Sequence, residues 1–259
     1  MASAVSAVHD RLRLPGCRVV ISFPKSGRTQ LRVMLDALGL AVPFSHAGSS
    51  DERGRTAAEL GGGPSYWRRC KVLLLIRDPR DTAVSAWYHA RYRSGRFGGD
   101  LATFLRDPHF GLEKVVSFHL LWAEARPRFP TCAVLHYEEL QRRPEHELGR
   151  VAHFLTGRSF APEAIARAAE AGSFQRMRAL EAGGEGARRF GVALTPGDPL
   201  NPDSFKTRKG VSGGWAQALS AADKDYADAL FGAHDYTARL AAAGIASPFA
   251  APLASDASA

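Results

Sequence analysis

Arg18-Val19-Val20-Ile21-Ser22-Phe23-Pro24-Lys25-Ser26-Gly27-Arg28-Thr29-Gln30-Leu31 is the stretch on which the fold turns. Residues 18–23 are β-branched and apolar, the composition of a short buried strand. Pro24-Lys25-Ser26-Gly27 breaks that run at once. Leu31, Met34, Leu35 and Leu38 then repeat at the spacing of one helix face, so strand, tight turn and helix follow within a single supersecondary unit. A helix start exposes unpaired backbone N–H groups and the positive end of the helix dipole. Gly27 lets backbone approach an anion closely, and Lys25, Ser26, Arg28 and Thr29 add charge and hydroxyl donors. The segment reads as a phosphate cradle, although it lacks the longer glycine loop that precedes the lysine of a Walker A motif.

Working outward, residues 40–44 are a candidate second strand and residues 51–60 a short helix stopped by Gly61-Gly62-Gly63-Pro64. Residues 71–76 are apolar almost throughout, as a strand covered on both faces should be. A helix is expected over 81–93, another over 112–125, a strand over 131–137 and helices over 147–155 and 162–171. Strand and helix alternate, which predicts an α/β domain whose central, mostly parallel sheet is flanked by helices. Glycine and proline punctuate residues 181–204, read as a mobile, irregular loop of functional length. Helical patterning resumes over 215–230, and residues 245–259 read as a frayed tail of one domain spanning 1–259.

Among 259 residues, 45% are hydrophobic, enough for a substantial core and too many for extensive disorder. Thirty-four Lys and Arg against twenty-six Asp and Glu give a net charge of +8, which favours anionic partners without choosing among nucleotide, nucleic acid, acidic glycan and membrane surface. Cys17, Cys70 and Cys132 are few, odd in number and unclustered, so a disulfide framework is not expected and a reducing compartment is. No Asp and His cluster has ligand spacing, so no divalent metal is expected. The first residues lack the layout of a signal peptide, and the longest strand-like apolar run is too short to span a bilayer. The expectation is a soluble, cytoplasmic protein.

Two further clusters seek phosphate. Arg77 leaves the end of the best strand, the edge where open α/β sheets bind ligands, and Ser85 lies on the following helix. Arg208-Lys209-Gly210 sets a basic pair beside a flexible residue. Three separated clusters point to a ligand with more than one phosphate.

Together these segments resemble the sulfotransferases that use 3'-phosphoadenosine-5'-phosphosulfate (PAPS). Residues 24–29 are similar to that family's 5'-phosphosulfate loop, and Ile76-Arg77-Asp78-Pro79-Arg80-Asp81-Thr82-Ala83-Val84-Ser85 to its 3'-phosphate motif. Phe205-Lys206-Thr207-Arg208-Lys209-Gly210-Val211-Ser212-Gly213-Gly214-Trp215 resembles the C-terminal segment that closes over the 3' phosphate. Tyr137-Glu138-Glu139-Leu140 and Ser173-Phe174-Gln175-Arg176-Met177 look like the family's strand end and adenine-pocket segment.

The resemblance implies a P-loop-like, nucleotide-binding sulfotransferase fold. It implies transfer of a sulfuryl group from PAPS to an acceptor hydroxyl on a glycan or natural product, with 3',5'-adenosine bisphosphate (PAP) as product. By the same resemblance Lys25, Ser26, Gly27, Arg28 and Thr29 hold the 5' end. Arg77, Ser85, Arg208, Lys209 and Gly210 hold the 3' phosphate, and Tyr137 and Phe174 flank the nucleotide. Phe44-Ser45-His46-Ala47-Gly48 resembles the short bacterial form of the catalytic-histidine segment, which makes His46 the general base and Lys25 its partner at the leaving oxygen.

Four departures accompany the match. Gln30 stands where an aromatic often stacks on adenine, Gly172 where a threonine is usual, and Phe44 where a lysine often precedes the histidine. Ala216-Gln217-Ala218-Leu219-Ser220-Ala221 lacks the leading Lys and Thr-Val pair of the family's dimer motif. His89, Glu138 and Glu139 are the alternative bases, with His119 behind them. The rival classes are a nucleotide kinase or NTPase drawing on Asp78 and Asp81, a nucleic-acid-binding module drawing on the basic surplus, and a non-catalytic anionic-nucleotide binder. No zinc finger, RNP-like motif or continuous basic helix supports nucleic-acid binding.

Overall fold

A computed structural model of the chain describes residues 17–48 and 69–245. The expected helix over 51–60 and its glycine stop lie outside them, as does the chain beyond Ile245. Ile245 itself is buried in the core rather than frayed.

Four strands form one sheet: β1 (Arg18–Ser22), β2 (Phe44–Ser45), β3 (Lys71–Ile76) and β4 (Cys132–His136). Their order is β2-β1-β3-β4 and every pairing is parallel. Successive side chains of a strand point to opposite faces, and both faces are apolar here. Val19, Ile21, Val72, Leu74 and Ile76 pack on one side against α4 (Leu112–Ala125) and α12 (Tyr236–Ala242). Val20, Leu73, Leu75 and Leu135 pack on the other against α1 (Arg28–Ala37), α6 (Pro144–Thr156) and α7 (Pro162–Ala171). The expected α/β sandwich is what forms, and the apolar continuity of residues 71–76 is the signature of that double covering. The second strand is shorter than expected; Leu40, read as its start, is buried among the helices instead.

From β1 the chain crosses to β2 on one side and later to β3 on the other. That divergence leaves a crevice beyond the C-terminal ends of β1 and β3. The helix after β3, α2 (Pro79–Tyr88), begins earlier than expected because Asp78 caps it, accepting from Arg80 N–H at 2.8 Å, with Pro79 in the first turn. Its continuation, His89–Arg93, is a π-helical turn. Residues 181–204 hold local structure: α9 (Glu185–Phe190), two 3₁₀ turns and a fully buried Leu194. The helix expected over 215–230 is broken into α10 (Trp215–Ala218) and α11 (Ala221–Ala233), because Ser220 starts a new helix through a reciprocal capping box with Asp223.

The expectation drawn from the cysteines is overturned. Cys17 and Cys70 are joined by a disulfide. They sit immediately before β1 and β3, whose parallel register pairs Arg18 with Lys71 and so brings the two Cα atoms to 4.4 Å. Fifty-three residues of separation hid a contact that only the sheet register creates.

Candidate functional site

The loop after β1 turns sharply. Lys25 has φ 74° and Gly27 φ 91°, both left-handed, and Lys25 is not a glycine. Such conformations in side-chain-bearing residues concentrate at functional sites. A Cβ on Gly27 would lie 2.2 Å from the Tyr137 ring, so only glycine lets the loop pass under that ring. Tyr137 opens α5 (Tyr137–Arg142) at the end of β4. Its other partner is Arg77, whose guanidinium carbon lies 4.3 Å from the ring centroid. Arg77 donates to the carbonyls of Lys25 at 3.2 Å and Val211 at 3.3 Å. One side chain thus ties together the ends of β1, β3 and β4 and the segment near residue 211.

That segment straps across the crevice. Asp81, 4% exposed, accepts from Gly213 N–H at 2.7 Å and from Trp215 N–H at 2.9 Å. Arg80 is held by both carboxylate oxygens of Asp78 and lies 3.6 Å from the Trp215 ring centroid. Arg208 lies 3.5 Å over the Tyr88 ring. Gly210, at φ 64°, passes against Phe174, the first residue of α8 (Phe174–Ala182). Asp78 and Asp81 are therefore structural anchors, each committed to its own partners.

Between loop, strap and helices lies a cavity of about 750 Å³. Lys25, Gly27, Arg28, Thr29, His46, Arg77, Ser85, Tyr137, Phe174, Arg208, Lys209 and Gly210 all line it. Ser26 does not: its side chain is fully buried and its hydroxyl has no partner. Among the described residues, nine Lys and Arg line the cavity and a single carboxylate, Asp81, faces them. Burial, then the charges of Lys206, Arg93 and Arg77, hold the Lys25 ammonium well below its ordinary pKa. Burial and Arg32 bring Arg28 down to about 10. Cations crowded and partly buried together are costly unless anions join them.

His46 follows β2 and reaches back across β1. Its Nδ1 lies 2.7 Å from the Ser22 carbonyl and its Nε2 2.5 Å from Arg28 Nη1. A carbonyl can only accept and a guanidinium only donate, so Nδ1 carries the proton and Nε2 holds a lone pair. Burial, opposed by the Ser22 bond and aided by Arg28, lowers its pKa to about 4, so the ring is neutral at pH 7. Among the alternative bases, His89 lines the same cavity, whereas Glu138 accepts from Asp78 N–H at 2.8 Å. Glu139 is held by Arg142 and Arg143, and His119 bonds the Tyr236 hydroxyl at 2.7 Å.

At the far end, Gln30 donates to the Gly172 carbonyl at 3.0 Å and accepts from Gln141 at 2.5 Å, beside Phe174 and Met177. The absent aromatic is thus replaced by an amide pair. Sequence reading did not assign Gln141, Arg32 or Lys206 to the site. Lys206 stood inside the 205–215 segment whose resemblance was read, but only Arg208, Lys209 and Gly210 of that segment were given a role.

A family profile described as a sulfotransferase domain matches residues 63–240, more than half of the chain. Cytosolic sulfotransferase 12 of Arabidopsis thaliana is 28% identical over 58% of this chain and 45% of its own length. Sulfotransferase 1C2 of Rattus norvegicus is 27% identical over 65% and 56% respectively. The matched stretch therefore spans about half the length of these relatives. Among solved structures, mouse sulfotransferase SULT7A1 complexed with PAP superposes at TM-score 0.64 with 19% identity, covering 94% of this chain and 93% of that one. Retinol dehydratase in a complex with retinol and PAP gives 0.58 and 18%, covering 91% and 85%. At such identities these two show a shared fold.

Proposed function

Because the chain belongs to the sulfotransferase-domain family, we propose that it is an enzyme moving a sulfuryl group from PAPS to an acceptor hydroxyl and releasing PAP. The observation that carries this reading is the cavity at the C-terminal ends of β1 and β3, where nine cationic side chains meet one committed carboxylate. A nucleotide with phosphate at both ends suits it, and PAP is the molecule in the similar solved structures. When bound, PAPS supplies the activated sulfuryl group and its leaving phosphate.

The chain's residues do the rest. Lys25, Gly27 N–H, Arg28 and Thr29 bind the 5' end, and Arg77, Ser85, Arg208, Lys209 and Gly210 bind the 3' phosphate. Phe174, Tyr137 and the Gln30–Gln141 pair enclose the base. Lys25 stabilises negative charge on the leaving oxygen. The 5' anion offers Arg28 a stronger acceptor than an imidazole, and as Arg28 turns to it His46 Nε2 is freed to take the acceptor's proton. The same anion raises the His46 pKa from its value of about 4 toward the working range of a base. The strap and residues 181–204 exclude water when they close.

Kinase chemistry is disfavoured by the commitment of Asp78 and Asp81 to Arg80, Gly213 and Trp215. Nucleic-acid binding is disfavoured by cations gathered in a concavity. No helix among the described residues is long and apolar enough to cross a membrane. The Cys17–Cys70 bond removes the argument for a cytoplasmic site from unpaired cysteines, and one relative, named a cytosolic sulfotransferase, supports that location.

The test is incubation with PAPS and pooled hydroxylated glycans and natural products, read by mass spectrometry for added sulfate. Wild-type protein forms sulfated product. His46→Ala turns over at least ~10²-fold more slowly and still binds PAP, and the acid limb of the wild-type rate profile disappears. Wild-type turnover by the variant removes His46 from the mechanism; PAP that does not bind at all removes the nucleotide reading.

A further inference from the structure

We infer that the Lys206 side chain is a further catalytic group, the cation that holds the sulfuryl group while it passes from the 5'-phosphate oxygen to the acceptor oxygen. This rests on the PAPS reading above. The basic run from Lys206 to Lys209 lines the cavity. Arg208 goes to the Tyr88 ring, beside Arg77 and the 3'-phosphate end. Lys206 lines the cavity with Lys25, His46 and His89, and its charge acts on all three.

The backbone there is fixed by a buried carboxylate. Glu181, 1% exposed, accepts Lys206 N–H at 2.7 Å and Thr207 N–H at 2.9 Å, and lies 3.8 Å from Arg93. Glu181 is thus a positioning residue that spends its lone pairs on the chain. The Lys206 ammonium makes no hydrogen bond or ion pair with any described residue, and burial with the neighbouring Arg93, Arg28 and Arg32 outweighs the nearby Glu181 and brings its pKa down to about 8. A cation held among cations, without a hydrogen-bonded partner, is a costly arrangement unless an anion binds there.

The chemistry needs such a group at that place. His46 takes the acceptor's proton as the acceptor oxygen bonds to sulfur. The bond from sulfur to the 5'-phosphate oxygen breaks, and Lys25 receives the electron pair's charge on that oxygen. The outer sulfuryl oxygens stay anionic throughout and need their own donor. Position 44 cannot supply it, because Phe44 there packs beneath Arg32 and Arg28 at 4.8 and 5.6 Å. Lys206 reaches the same region from the strap, so the element that closes over the nucleotide also completes the transfer site.

PAPS and PAP differ by the sulfuryl group alone, and calorimetric titration of each against Lys206→Met and Lys206→Arg separates the possibilities. Expected is a loss of PAPS affinity of about ten- to a hundredfold in Lys206→Met with PAP affinity nearly intact, and recovery of most of the PAPS affinity in Lys206→Arg. Retained PAP binding certifies that the variant is folded. Equal losses for both ligands, or no loss for either, overturn the assignment. Wild-type protein that binds PAP but does not distinguish it from PAPS overturns it as well. Wild-type protein that binds neither brings down the PAPS reading beneath it.

Discussion

Arg77 carries more of the site than a phosphate contact requires. It bonds the Lys25 and Val211 carbonyls, covers the Tyr137 ring and stands 3.8 Å from Asp81. Its Nε is buried with no partner, a donor left over for a ligand oxygen. Arg77→Ala is expected to weaken PAP binding by roughly ten- to a hundredfold, the worth of one charge-assisted hydrogen bond of about 1.5–3 kcal/mol. Adenosine 5'-phosphosulfate, which has no 3' phosphate, loses less. Calorimetry with both ligands reads the difference, and equal losses would assign Arg77 to joining the loop and strap instead of reading the phosphate. Gly27 makes the complementary point about legibility. Its presence in the loop was plain in the sequence, whereas its reason, the Tyr137 ring lying on it, needed the end of β4 to be in place.

At the scale of elements, the sheet divides into an edge that lines the cavity and an edge that is tied covalently. The loops after β1, β3 and β4 and His46 after β2 all face the cavity, while the Cys17–Cys70 bond ties β1 to β3 at their opposite, N-terminal ends. Replacing both cysteines by serine is expected to cost about 2–4 kcal/mol of stability, chiefly by freeing the unfolded chain, while PAP affinity stays as in the wild type. Chemical denaturation and calorimetry check the two halves, and a large loss of affinity would mean the bond shapes the site. Residues 71–76, 112–125 and 162–171 were legible to the residue because apolar pattern and flanking breakers agreed there. The disulfide, the break at Ser220 and the short helices α3 (Leu101–Arg106) and α9 were not legible. The first depends on strand register, the second on a capping box inside a continuous pattern, and the last two are too short to show a period. That residues of the three basic clusters would share one cavity was within reach of the sequence because each cluster is local; the role of Glu181 was not, since it rests on bonds to the backbone of Lys206 and Thr207, twenty-five and twenty-six residues away.

At the scale of the whole molecule, burial has placed uncharged histidines in the cavity and in the core. His46 titrates at about 4, His89 and His119 at about 3, and His136 also below its ordinary value, each chiefly because burial disfavours the charged ring. In the unfolded chain all four would take up protons near 6.5. Between that value and about 4 the unfolded state therefore binds more protons than the folded one, so stability present above pH 6.5 is lost progressively as the pH falls. Asp81 and Glu138, pushed upward by burial, act in the opposite sense and offset part of this loss. The expected outcome is a melting temperature that declines steadily from pH 6.5 to 4. His119 is the cleanest probe, being outside the cavity lining, 1% exposed and bonded to the Tyr236 hydroxyl at 2.7 Å. Glutamine there can keep a hydrogen bond to Tyr236 and cannot titrate, so His119→Gln should start from a lower melting temperature at pH 7.5 and lose less of it on acidification. Scanning calorimetry of both proteins across the range decides the matter: parallel declines would mean that carboxylate pairs such as Glu147 with Arg150, and not buried imidazoles, set the acid limit of the fold.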